Sequence, residues 1–98
     1  MEKAGRAVVV TTVHKGVFFG YLDQDADVLS ETLTLFRVRM CIYWSPDVHG
    51  VFGLAANGPT AGCRIGPAAP WLTIHGVTGV CGVSNGAAER WEGEPWAG

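Results

Sequence analysis

Three stretches dominated by β-branched and aromatic residues constrain this chain more than any other feature: Ala7 to Val13, Val17 to Leu22 and Thr32 to Tyr43. Val, Ile and Thr are stiff at χ1 and fit a pleated surface better than a helix. Of the 98 residues 12 are Val, 7 Thr and 3 Ile, while 14 Gly and 5 Pro cut that material into short pieces. Such a pattern excludes a coiled coil, a long-helix bundle, a collagen-like repeat and a transmembrane helix. The length accommodates one hydrophobic core, so residues 1–98 are expected to form a single small domain.

Along the chain, His14-Lys15-Gly16 reads as a short connection that folds the first two strands into a hairpin. Val17-Phe18-Phe19-Gly20-Tyr21-Leu22 is apolar on both faces, which implies a core on one side and a partner or a second layer on the other. An acidic loop, Asp23 to Asp27, follows. The third strand places Leu33 and Leu35 in odd phase, then Phe36, Val38, Met40 and Ile42 in even phase. A period of two switches faces only by an inserted residue, so a β-bulge is expected between Leu35 and Arg37.

Trp44 to Gly50 reads as a turn, Val51 to Ala56 as a short strand, and residues 57–70 as an ordered loop with one extended piece at Cys63-Arg64-Ile65. The last strand, Trp71 to Val83, also changes phase, with Gly76 and Gly79 available for a kink or second bulge. Ser84 is placed to cap a helix over Asn85 to Trp91 that ends at Gly93. The fold class expected is all-β and mainly antiparallel: a small, bent SH3-like or OB-like barrel with a short C-terminal helix.

Charge and cysteine narrow the partners. A net charge of −2, with only two Lys, has the wrong sign for a protein that neutralises phosphate backbones, so duplex nucleic acid is set aside. Three cysteines, Cys41, Cys63 and Cys81, are an odd number without a C-x-x-C spacing, the pattern of reduced thiols in a cytoplasmic protein. His14, His49 and His75 form no ligand pair, and Asp47 beside Ser45 and His49 reads as turn chemistry, so no metal, no cofactor and no catalytic group is assigned. No apolar export segment precedes Ala7.

Two stretches carry binding chemistry. Simple alternation from Arg37 puts Arg37, Arg39, Cys41 and Tyr43 on an outer face and Val38, Met40 and Ile42 on the core, lining two guanidiniums up with a phenol. Gly58-Pro59-Thr60-Ala61-Gly62-Cys63-Arg64 is glycine-rich enough for a nest of backbone N–H groups around an anion, with the Thr60 hydroxyl and Arg64 closing over it. Arginine forks, an aromatic platform and backbone amides are what an anion or nucleotide pocket requires. The expected ligand-binding set is therefore Arg39, Tyr43, Trp44, Thr60, Gly62 and Arg64. Four Trp, at 44, 71, 91 and 96, exceed what so small a core encloses, which points to a homo-oligomer.

Val17-Phe18-Phe19-Gly20, Arg39-Met40-Cys41-Ile42-Tyr43-Trp44-Ser45, Gly53 to Thr60 and Gly62-Cys63-Arg64-Ile65 together resemble a family of short bacteriophage and prophage proteins, over nearly the whole chain. That resemblance implies a setting and no catalytic residues. In that setting, the host cell cytoplasm, a small protein acts by binding: as an anti-defence protein that sequesters a host signalling nucleotide, as a module that uses Phe19, Tyr21 and the tryptophans to inhibit a host defence protein, or as a virion or assembly component.

Overall fold

The computed structural model describes residues 5–13, 16–23 and 26–94. Six strands form one mostly antiparallel sheet: β1 (Arg6–Thr12), β2 (Val17–Leu22), β3 (Thr32–Tyr43), β4 (Arg64–Ile65), β5 (Ala69–His75) and β6 (Val77–Gly82). Between β3 and β4 lie a 3₁₀ turn, Pro46–Val48, and helix α1 (Gly50–Ala56); helix α2 (Asn85–Gly93) follows β6. The strand order is β4-β3-β2-β1-β6, with β5 also on β3.

β1 and β2 pair through Val8↔Gly20, Val9↔Phe19 and Val10↔Phe18. Alternation then sends Val8 and Val10 into the bend of the sheet with Leu22, Leu33, Leu35, Val38 and Ile74, forming one apolar cluster. Val9, Val17, Phe19 and Tyr21 point the other way, where Leu54 of α1 and Trp91 of α2 cover them in a second cluster. The doubly apolar β2 is thus explained by the chain's own helices, which supply the second layer.

The bulge expected on β3 is present. Phe19 opposes Arg39 while Tyr21 opposes Phe36, so β3 advances three residues where β2 advances two. Arg37 occupies the bulge with φ 52°, a left-handed conformation that a non-glycine residue adopts at some cost. The inserted residue keeps Leu33, Leu35 and Val38 on one face although their numbers change parity.

Gly76, at φ 73°, divides the long final strand. Residues before it pair with β3, from Thr32↔His75 to Val38↔Ala69. Those after it pair with β1, with the expected second bulge between Thr11↔Gly79 and Thr12↔Val77. β5 and β6 are consecutive pieces of one bent chain with no ladder between them, so the barrel is a loose one, a bent sheet that hydrogen bonds do not close.

One element departs from expectation: Val51 to Ala56 is helix, not strand. Val51, Leu54 and Ala55 recur at helical spacing against the helix-side cluster, while Phe52 is exposed. A six-residue apolar run satisfies both periods, and here Gly and Ala, with no β-branched residue after Val51, settle it as helix. The C-terminal helix is as expected. The Ser84 hydroxyl accepts from Ala87 N at 3.1 Å and donates to the Ala56 carbonyl at 2.9 Å, so one side chain caps α2 and ties it to α1. Replacing Ser84 with Ala is expected to cost about 1–2 kcal/mol. A urea midpoint indistinguishable from wild type would remove the cap from this account.

Among the described residues, no helix is long and apolar enough to cross a membrane.

Candidate functional site

The helices that cover one face of β3 decide where the chemistry sits. Beyond the Arg37 bulge Arg39 and Cys41 turn toward the helices and are buried, while Met40 and Ile42 are 44% and 52% exposed. The alternation holds but its outer face is corrected: α1 and α2 cover the side that carries Arg39 and Cys41, while Met40 and Ile42, expected in the core beside Val38, face solvent beyond the covered part of the sheet. Val38 is in the core as expected.

Arg39 is only 6% exposed, yet its charge is not matched by a contacting carboxylate among the described residues. Nε donates to the Gly66 carbonyl at 2.8 Å and Nη1 to the Trp91 carbonyl at 2.6 Å. The second acceptor lies in the last turn of α2, where unsatisfied carbonyls give the helix its negative end. Burial pulls the guanidinium pKa below its ordinary value, and the negative charge of Glu94 opposes that. Nη2 makes no hydrogen bond among the described residues, leaving a fixed cation with donors to spare.

Arg39 lines a cleft of about 600 Å³ together with Arg37, Glu92, Glu94 and the stretch Pro67 to Pro70. Small-molecule pockets commonly fall in this size range, with apolar walls and a few placed polar groups. Arg37 lies 4.3 Å over the Tyr21 ring and 3.3 Å from the Glu92 carboxylate. The Tyr21 hydroxyl also donates to Glu92. Its pKa is pushed up to about 12, first by burial and then by Glu92, with Arg37 opposing, so it remains a donor at neutral pH. One residue along each strand from the cleft, Phe36 opposes Trp71, and these aromatics are 39% and 61% exposed.

The remaining expected site residues lie in other groupings. Tyr43 and Arg64 are register partners on β3 and β4, both exposed. Thr60 and Gly62 lie against Ser45: the Thr60 hydroxyl is 3.2 Å from that of Ser45 and donates to Asp47 at 3.1 Å. These two hydroxyls hold the exposed Asp47 carboxyl below the usual carboxylate range, Ser45 contributing most. Trp44 is half-buried against the helix-side cluster. Three amides of the glycine-rich loop are engaged within the protein: Gly58 N donates to the Gly53 and Leu54 carbonyls, Cys63 N to the Thr60 carbonyl and Thr60 N to the Cys63 sulfur. Clefts take these residues separately, Arg39 beside Pro67 to Pro70 and Thr60 beside Arg90 and Glu94.

All three thiols are free. Burial, with Cys63 adding, pushes Cys41 up to about 12, which keeps it a thiol. Of the tryptophans that pointed to an oligomer, Trp91 is fully enclosed, Trp44 half-buried and Trp71 exposed; Trp96 lies outside the described residues. Phe19 and Tyr21, expected as interaction anchors, belong to the helix-side core. Glu92, Glu94 and the Pro67 to Pro70 wall were not identified from the sequence. One signal was available: β2 is apolar on both faces, which implies a second layer that also covers the Arg39 face of the neighbouring β3.

No curated protein and no solved structure gives a significant match to this chain. A family described as a domain of unknown function (DUF6948) matches residues 5–91, a span from the start of β1 to the tryptophan that receives Arg39, and the chain belongs to that family.

Proposed function

We propose that this protein is a non-catalytic binding protein that holds a small anionic ligand in the cleft between the β3 bulge, the Pro67 to Pro70 wall and the end of α2. The observation that carries this reading is Arg39. A guanidinium already oriented by two neutral carbonyls, on a residue that lines the cleft, has lost its rotamer freedom before any ligand arrives, which lowers the cost of binding. Such a fork recognises carboxylate or phosphate. In the phage setting that the sequence resemblance implies, the ligand is a host signalling nucleotide, withdrawn without turnover in the host cytoplasm. The exposed Phe36–Trp71 pair supplies a flat apolar platform for its base.

The test is to incubate the purified protein with host extract and with a panel of cyclic and ADP-ribose-type nucleotides, heat-denature it, and identify what is released by mass spectrometry. Intact nucleotide recovered from wild type supports sequestration; altered product points to an enzyme; nothing retained removes the pocket. Arg39→Lys is expected to reduce retention at least tenfold. Because Arg39 also ties β3 to α2, Ala68→Trp provides a second block: it fills the cleft from an exposed wall position and is expected to abolish retention with the fold intact.

A second reading has one observation behind it. Phe36 and Trp71 suit an aromatic anchor for a protein, either a host defence protein or a second copy of the chain. Under that reading Trp71→Ala abolishes the association while Ala68→Trp leaves it unchanged.

A further inference from the structure

Arg37 and Arg39 border the same cleft, yet only one of them is available. Arg39 is held by carbonyls and keeps its full charge toward the cleft, whereas Arg37 is engaged by Glu92 at 3.3 Å and by the Tyr21 ring beneath it. The Glu92 carboxylate in turn receives the Tyr21 hydroxyl. It accepts from two donors, of which Arg37 lines the cleft with it, so an anionic group in the cleft competes with Glu92 for Arg37. Glu92 is 42% exposed and Arg37 58%, so both partners of the pair are within reach of a solute.

Resting on the binding reading above, we infer that Glu92 is the specificity-determining residue of the cleft. Its carboxylate stands in for a second anionic group, so the protein as it is accepts a ligand presenting one anionic group to Arg39 and disfavours one presenting two. A singly charged group meets Arg39 alone. A doubly charged ligand must displace Glu92 from Arg37 and Tyr21 and then lie beside two carboxylates, Glu92 and Glu94, that repel it. Removing the charge at position 92 frees the Arg37 fork for the ligand; Glu94 stays in place and limits the gain.

The experiment titrates acetate and pyrophosphate into wild type, Glu92→Gln and the double variant Arg37→Gln/Glu92→Gln. The Arg39 Nε–H resonance serves as the reporter at the cleft, and urea unfolding of each variant verifies the fold. Glu92→Gln is expected to tighten pyrophosphate about tenfold or more, since a further charge-assisted pair becomes available, and to change acetate less than threefold. Adding Arg37→Gln is expected to cancel the pyrophosphate gain. Pyrophosphate binding that is unchanged or weaker in Glu92→Gln, or a gain that survives loss of Arg37, overturns the role of Glu92 while leaving the cleft in place. An Arg39 resonance unmoved by either anion in wild type and Glu92→Gln alike overturns the binding reading itself.

Discussion

Replacing Trp91 with alanine is expected to lower the urea midpoint of unfolding by about 2 M, the largest effect of any single truncation in this chain. Trp91 is fully buried and stacks on Phe19 with ring centroids 5.0 Å apart and planes 6° from parallel. Its indole N–H donates to the Leu54 carbonyl at 3.0 Å, and its own carbonyl receives Arg39. Truncating a buried Trp costs about 3–5 kcal/mol, and the Leu54 carbonyl is left without that donor. Set against the roughly 5–15 kcal/mol total stability of a domain and a urea slope of about 1–3 kcal/mol per molar, such a loss removes much of the folding free energy. Trp91→Phe retains the stack and gives up the hydrogen bond, so it should fall between the two. A shift below about 0.5 M for Trp91→Ala would mean that α2 is not part of the cooperative core.

The second large effect is expected at Gly53, where alanine should destabilise the protein by about 3 kcal/mol or more, against the usual sign for such an exchange in a helix. Gly→Ala inside a helix ordinarily stabilises by about 1 kcal/mol. Here a Cβ built on Gly53 would collide with the carbonyl oxygen of Val48, and that obstacle is backbone. Relief requires α1 to move away from the preceding 3₁₀ turn, while Val48 and Leu54 are both anchored in the helix-side cluster. Gly86, in the first turn of α2, provides the control: open space surrounds its added Cβ, so Gly86→Ala should stabilise by about 0.5–1 kcal/mol. Thermal or urea unfolding of the two variants measures the contrast, and a stabilised Gly53→Ala would refute the crowding.

How much of this was legible in the sequence follows from which signals are local. The bulges at Arg37 and next to Gly79 are visible because apolar parity changes there, and parity is a property of consecutive residues. Ser84 as a cap is visible for the same reason. α1 was not, since seven residues of Gly, Ala and three apolar side chains satisfy strand and helix alike until the contacts of Leu54 are known. The site divided along the same line. Arg39 and Arg37 were recognisable as the cationic part of a binding stretch, but their environment comes from Gly66, Pro67 to Pro70, Trp91, Glu92 and Glu94, which are distant in sequence and carry no motif. The Thr60 and Gly62 loop has the composition of an anion nest, and only its hydrogen bonds reveal that the amides of Gly58, Thr60 and Cys63 are engaged internally.

The bend at Gly76 has a consequence for how the chain avoids self-association. β1 holds the most uniformly β-branched run in the protein, Val8-Val9-Val10-Thr11-Thr12, without a charge inside it, the composition that templates cross-strand stacking between molecules. In the folded sheet neither edge of that run is open: β2 occupies one, and the far side of the Gly76 bend, β6, occupies the other. β6 therefore shields an aggregation-prone edge, and any change that loosens residues 77–82 unmasks that edge together with the parts of the two clusters on which Val77, Val80 and Cys81 pack.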